Sequence, residues 1–161
     1  MKLRTAIALI MLLSGSKVFA DNSVFRDLTV DSSLRVYRSV RGLPPVFREN
    51  LRGALDQERL VIAEPGEPFQ TSDAVIVKEG EQPRPTRRLI FAAGNEDVRL
   101  FYYEVGGYGG GGATVLVFKC DAKRICKVAW TGVEFTRRYA RSPKELIARI
   151  VNRKIQEFDR R

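Results

Sequence analysis

Few residues in this 161-residue chain can do chemistry, and their types decide which reactions are open to it. There is no histidine, which removes the usual general base, the commonest metal ligand and the side chain that changes charge near neutral pH. The only two cysteines, Cys120 and Cys126, lie in the stretch Phe118-Lys-Cys-Asp-Ala-Lys-Arg-Ile-Cys-Lys-Val-Ala-Trp130. Their five intervening residues suit a disulfide across the mouth of a hairpin, with Asp121 to Arg124 as its turn, and an exported chain forms such a bridge by default. A reactive thiol pair is the other reading, because Lys119, Lys123, Arg124 and Lys127 would lower a thiol pKa. The spacing argues against it, since redox pairs are separated by two residues. A metal site would need further soft ligands or histidines, so neither a metal nor a cofactor is expected.

Catalysis without histidine would have to use paired carboxylates, as in glycoside hydrolysis, or a Ser-Lys couple. Glu64 and Glu67 sit on a proline-rich loop and Glu96-Asp97 on a turn, where a solvated role is the ordinary one, and no serine lies in a G-x-S-x-G context. The expected protein is therefore not an enzyme. From Gly107 the tract Gly106-Gly-Tyr-Gly-Gly-Gly-Gly112 matches G-x-G-x-x-G literally. A nucleotide reading fails because that motif must open a helix, and here the β-branched run Ala113-Thr-Val-Leu-Val follows. The tract reads as a connection between two strands or as a contact loop, with Tyr108, Gly109 and Gly110 at its centre. Of the neighbouring Tyr102 and Tyr103, which face opposite sides of a strand, one is expected in the core and the other, taken as Tyr103, at the contact.

The formal charge of +9 is unevenly spread. The net is −2 over 21–80, zero over 81–118 and +8 over 119–161. The excess falls on the cysteine hairpin, on the connection bearing Arg137, Arg138 and Arg141, and on a last helix bearing Arg149, Arg153 and Lys154. Such a run is either a solvated face or a surface for an acidic partner or anionic polymer. After residue 20, arginine outnumbers lysine 19 to 6, and its planar fork matches carboxylates and phosphates. Nucleic acid is not expected as a partner, because export removes the protein from it and no recognised motif is present.

The first twenty residues carry Lys2 and Arg4, an apolar run over 6–13 and the small-residue ending Val18-Phe19-Ala20. This is the pattern of a secretory signal peptide over 1–20, leaving residues 21–161 as one domain in the periplasm or outside the cell. The apolar run is short of the ~20 residues of a spanning helix, and no transmembrane segment is expected after cleavage.

The elements that must position these residues follow from periodicity. Loose alternation predicts strands over 24–30 and 34–40, a short strand is expected over 60–63, and β-branched or aromatic-rich runs bounded by Gly, Pro, Asn or Asp predict strands over 74–78, 88–92, 98–105, 113–120 and 125–131. Pro44-Pro45 followed by Val46, Phe47, Leu51, Ala54 and Leu55 predicts a helix over 45–57. Ser142-Pro-Lys-Glu145 is a capping box that opens a C-terminal helix with the stripe Leu146, Ile147, Ile150, Val151, Ile155 and Phe158. Short connections favour an antiparallel meander. The expected fold is α+β, an antiparallel sheet packed by the C-terminal amphipathic helix and a shorter helix from the N-terminal half, in two layers. The expected function is an exported protein-binding module, such as an inhibitor or immunity factor acting on an envelope or secreted protein, with contacts at the tyrosine-glycine loop and the adjacent basic hairpin. The alternative is an envelope-associated binder of anionic polymer through the basic C-terminal surface. The residues expected to bind the partner are Tyr103, Tyr108, Gly109, Gly110, Lys123, Arg124, Arg137, Arg138 and Arg141.

Overall fold

Runs of β-branched and aromatic residues separated by tight polar turns build the sheet. The structure, a computed structural model, describes Phe25, Leu28 and residues 34–71, 83–106, 111–135, 138–152 and 154–157. The strands are β1 (Arg35–Tyr37), β2 (Arg87–Gly94), β3 (Val98–Val105), β4 (Gly112–Cys120), β5 (Cys126–Glu134) and β6 (Gln156–Glu157). They pair antiparallel in sequential order, β1-β2-β3-β4-β5-β6, as the expected meander does. Two helices complete the described elements, α1 (Pro45–Ala54) and α2 (Pro143–Val151).

Side-chain alternation divides the core in two. Leu100, Tyr102, Val115 and Val117 join Leu146, Ile147 and Ile150 of α2. Phe101, Tyr103, Leu116 and Phe118, one residue out of phase, join Phe47 and Leu51 of α1. The sheet is thus covered on both faces, and the expected two layers become three. The near-continuous apolar runs of β3 and β4 are what a strand buried on both sides requires. A register shift between Leu89 and Phe91 lets these two residues, two apart in sequence, serve opposite cores; an unbulged strand would put them on one face.

Both helices start as their sequences dictate. Pro45 takes the first turn of α1, where its missing N–H is no loss. The helix ends at Ala54, short of the expected Gln57, and Asp56 takes a left-handed φ of 51°. In α2 the Ser142 hydroxyl accepts from the Glu145 N–H at 3.2 Å. The Glu145 carboxylate reaches back to the Arg141 N–H at 2.8 Å. The helix closes at Val151, and the Lys154 N–H returns to the Arg149 carbonyl at 2.9 Å. Ile155 is buried from beyond this turn, not from the helix, and Gln156–Glu157 pair with Gly132 and Val133 of β5. Phe158 lies outside the described residues.

Other expectations change. Phe25 and Leu28 are helical and buried on the α2 side, with the Phe25 ring edge-on to Trp130 at 5.2 Å. Their three-residue spacing suits one helix face as well as loose alternation, so at these two positions helix replaces the strand expected over 24–30, whose other residues lie outside the described ones. Of 34–40 only Arg35–Tyr37 is strand, and of 60–63 only Ala63 bridges, parallel to Arg88. The strand expected over 74–78 lies outside the described residues. Among the described residues no helix is long and apolar enough to cross a membrane.

Candidate binding surfaces at the two ends of the sheet

A meander alternates its connections between the two ends of the sheet. The β2–β3 and β4–β5 turns therefore share one end, and the β3–β4 connection lies at the other. The glycine tract and the cysteine hairpin flank β4 on opposite ends, nine residues apart, or roughly 30 Å of strand. The single contact surface expected from the sequence is thus divided. Lys123 and Arg124 lie at the hairpin end. Arg138 and Arg141 lie beyond β5, at the opposite end. Tyr108, Gly109, Gly110 and Arg137 lie outside the described residues.

Tyr103 is not available to a partner. It is 2% exposed and Tyr102 is fully buried, because both sheet faces are covered. Gly106, which opens the glycine tract, has a packing reason for its lack of a side chain. A Cβ there would fall 1.7 Å from the Gln70 carbonyl oxygen, and its N–H donates to the Thr86 carbonyl at 2.9 Å.

At the hairpin end, Cys120 and Cys126 are directly opposite in register and joined by a disulfide, which is compatible with an oxidising compartment. The turn between them is tied twice more. The Asp121 carboxylate accepts from the Lys123 and Ile125 N–H groups, both at 2.9 Å. The Asp121 carbonyl accepts from the Arg124 N–H at 2.8 Å, and Arg124 takes a left-handed φ of 62°. One guanidinium nitrogen of Arg124 reaches both oxygens of Glu96 on the β2–β3 turn, at 3.0 and 3.1 Å. The Cys120 N–H donates to the Asp97 carbonyl at 2.7 Å, so the two turns are linked through backbone as well. Lys123, Arg124 and Ile125 all face outward, Ile125 at 56% exposure.

Beside this hairpin lies a groove of about 420 Å³, with Arg35, Phe47, Gly94, Glu96, Arg99 and Arg124 among its walls. Register explains it. Arg35 of β1, Gly94 of β2 and Arg99 of β3 form one cross-strand row. Two arginines thus flank a residue with no side chain, on the face that carries α1. Arg99 is 2% exposed. One of its terminal nitrogens donates to the Asn50 side-chain carbonyl, and its guanidinium lies 5.0 Å from the centroid of the Phe47 ring. Its Nε has no hydrogen-bond partner, and among the described residues no carboxylate pairs with it. Burial, and then the charge of Arg124, draw its pKa below the usual arginine value.

The opposite end carries a carboxylate network. The Tyr102 hydroxyl donates to Oε2 of Glu134, which is 3% exposed, and accepts from the Ala140 N–H at 3.4 Å. Arg149 donates to the other Glu134 oxygen at 2.5 Å and to Glu145 at 2.6 Å. Burial first, and the Glu134 carboxylate second, push the Tyr102 hydroxyl well above the usual tyrosine range. Burial lowers the Arg149 pKa, but its two carboxylates outweigh this and raise it overall. Every polar group here has a partner, and the network ties β3 and β5 to α2 and the segment before it. The Arg141 carbonyl accepts from Arg38 at 2.8 Å, so that connection too is fastened to the body.

The carboxylates singled out for hydrolysis are engaged in similar work. Glu64 accepts from the Val40 and Arg41 N–H groups at 2.6 and 2.9 Å. Burial works against its ionisation, but these donors carry its pKa below the usual value. Glu67 accepts from the Glu64 N–H at 3.1 Å. Among the described residues no three potential ligand side chains gather around a metal position.

Sequence reasoning missed Arg35, Gly94 and Arg99. The signal was present in Val98-Arg-Leu-Phe-Tyr-Tyr103: Arg99 shares strand parity with Phe101 and Tyr103, so a charge stood at an inward position. No protein-family model, curated protein or solved structure matches the chain, and the functional argument rests on these residues alone.

Proposed function

We propose that this chain is an exported, non-catalytic binding module of the kind that occludes another envelope or secreted protein, and that it presents its hairpin end to an acidic partner. The observation that carries this reading is the β4–β5 turn. A disulfide and the Asp121 carboxylate hold two cations, Lys123 and Arg124, around an outward-facing Ile125. Ordering flexible side chains and loops on binding costs about 0.5–1.5 kcal/mol for each immobilised group, and a turn already closed by a covalent bond avoids much of that cost. An apolar side chain ringed by charge has the composition of a contact centre with a polar rim. Export is supported by the basic and apolar pattern of residues 1–20 and by the disulfide.

Capture from envelope and secreted fractions, using the oxidised protein and its Lys123→Glu/Arg124→Glu variant at low and high salt, tests this reading. A single protein held in stoichiometric amount at high salt by the parent, and lost by the variant, is the expected result. Equal retention by both proteins removes the hairpin from the interface. Recovery only of polyanions that elute with salt replaces this reading with polymer binding through the exposed cations.

A further inference from the structure

We propose that the groove between α1 and the β2–β3 turn is an oxyanion site, in which Arg99 and Arg35 receive the carboxylate or phosphate group of an anionic ligand above Gly94. This site centres on Arg35, Gly94 and Arg99, shares with the hairpin reading only Arg124, whose charge Glu96 offsets, and stands without that reading. Its first support is Arg99. A buried cation is costly unless paired, yet among the described residues this guanidinium has one amide oxygen, one aromatic face and an Nε without any partner. Its fork is a rigid array of five N–H donors matched to a carboxylate or phosphate edge; the residue lines the groove, and its buried Nε is unused.

The second support is the row. Arg35 and Arg99 are each paired with Gly94 across the sheet, which sets their Cα atoms about 10 Å apart, two strand spacings. Side chains of arginine length converge from that distance on a group held between them. Gly94 puts no side chain between them, and packing within the protein keeps it a glycine. A Cβ there would lie 2.4 Å from the Val98 carbonyl oxygen and 3.1 Å from the Phe47 ring. The third support is charge. Three arginines and one carboxylate line the groove, and Glu96 is already engaged by Arg124, leaving an excess of two positive charges. The volume of about 420 Å³ admits a ligand larger than the oxyanion itself.

Titration of the oxidised full chain with inorganic phosphate, and separately with acetate, followed by the amide resonances of Gly94, Asn95 and Val98, tests this site. Sodium chloride at matched ionic strength is the control. Saturable shifts are expected with at least one oxyanion, phosphate alone indicating a phosphate ester and acetate alone a carboxylate-bearing ligand. Arg99→Met should abolish saturation, and Arg35→Gln should weaken binding by about tenfold, one charge-assisted hydrogen bond's worth. Arg99→Met removes an unpaired buried charge and is expected to fold; should it not, Arg35→Gln, at an exposed position, decides. Shifts that chloride reproduces, or a midpoint unchanged in the folded variants, overturn the proposal. Loss of phosphate binding in Arg99→Met with partner capture intact supports the oxyanion site and leaves the hairpin reading standing; an unchanged phosphate midpoint overturns the oxyanion site alone, and loss of capture by Lys123→Glu bears on the hairpin alone.

Discussion

Arg149→Met is the substitution whose outcome the structure specifies most closely. The Glu134 side chain is 3% exposed and that of Arg149 is 19% exposed, with 2.5 Å between donor and acceptor. Removing the guanidinium leaves a buried carboxylate with the Tyr102 hydroxyl as its remaining close donor. Breaking a buried ion pair from one side costs about 3–5 kcal/mol. Because Arg149 is reached by some water, the lower figure applies. The bond to Glu145 adds little, since that carboxylate is 41% exposed. A loss of about 3 kcal/mol corresponds to about 6–12 °C in Tm for a chain of this size. Urea unfolding of the oxidised protein should show a lower midpoint at unchanged slope. Adding Glu134→Gln should restore most of the loss, because the amide is neutral and its oxygen still accepts from Tyr102; the double variant should fall within about 1 kcal/mol of the parent. A single variant that loses less than about 1 kcal/mol, or a double variant that recovers nothing, would falsify the claim that this carboxylate depends on Arg149.

Other perturbations have equally definite expectations. Tyr102→Phe should cost about 1–2 kcal/mol at neutral pH by leaving Glu134 without its hydroxyl donor. The folded protein holds the Tyr102 proton to higher pH than the unfolded chain does, so stability should fall as pH climbs past about 10, and the Phe variant should show a shallower alkaline fall in a pH series of urea melts. Reducing the Cys120–Cys126 bridge, which closes a loop of sequence separation 6, should cost about 2 kcal/mol on the loop-entropy model, read from melts with and without reductant. Gly94→Ala places a methyl group against the Val98 carbonyl and should cost about 1–3 kcal/mol, with amide shifts confined to the β2–β3 turn and the α1 residues above it.

The elements legible in the sequence were those whose signals are local. Val98–Val105 is legible to the residue because a stretch rich in β-branched and aromatic side chains is bounded by Asp97 and Gly106. The start of α2 was legible because capping needs only Ser142, Pro143 and Glu145 in order. Its end was not, since the apolar stripe continues to Ile155 while the chain turns at Asn152 and adds a strand to β5. The disulfide was legible for the same reason as the helix start: the spacing of two cysteines suffices for a hairpin closure. The contact surface was misread because it joined two loops that are near in sequence. Nine residues of β4 separate them in space, and the Tyr103 assigned to the contact lies under α1.

The sequence by itself determined the absence of histidine, the cysteine pair, the antiparallel meander and the beginnings of both described helices. Each follows from residue types or from spacings of two to four residues, over which backbone geometry is the governing term. Only the tertiary structure decided that the sheet is buried on both faces, that Ile90 marks a change of face, and that Arg35, Gly94 and Arg99 form one row. Those residues are up to 64 positions apart, and strand register, which is set by the packing of two separate cores, alone brings them together.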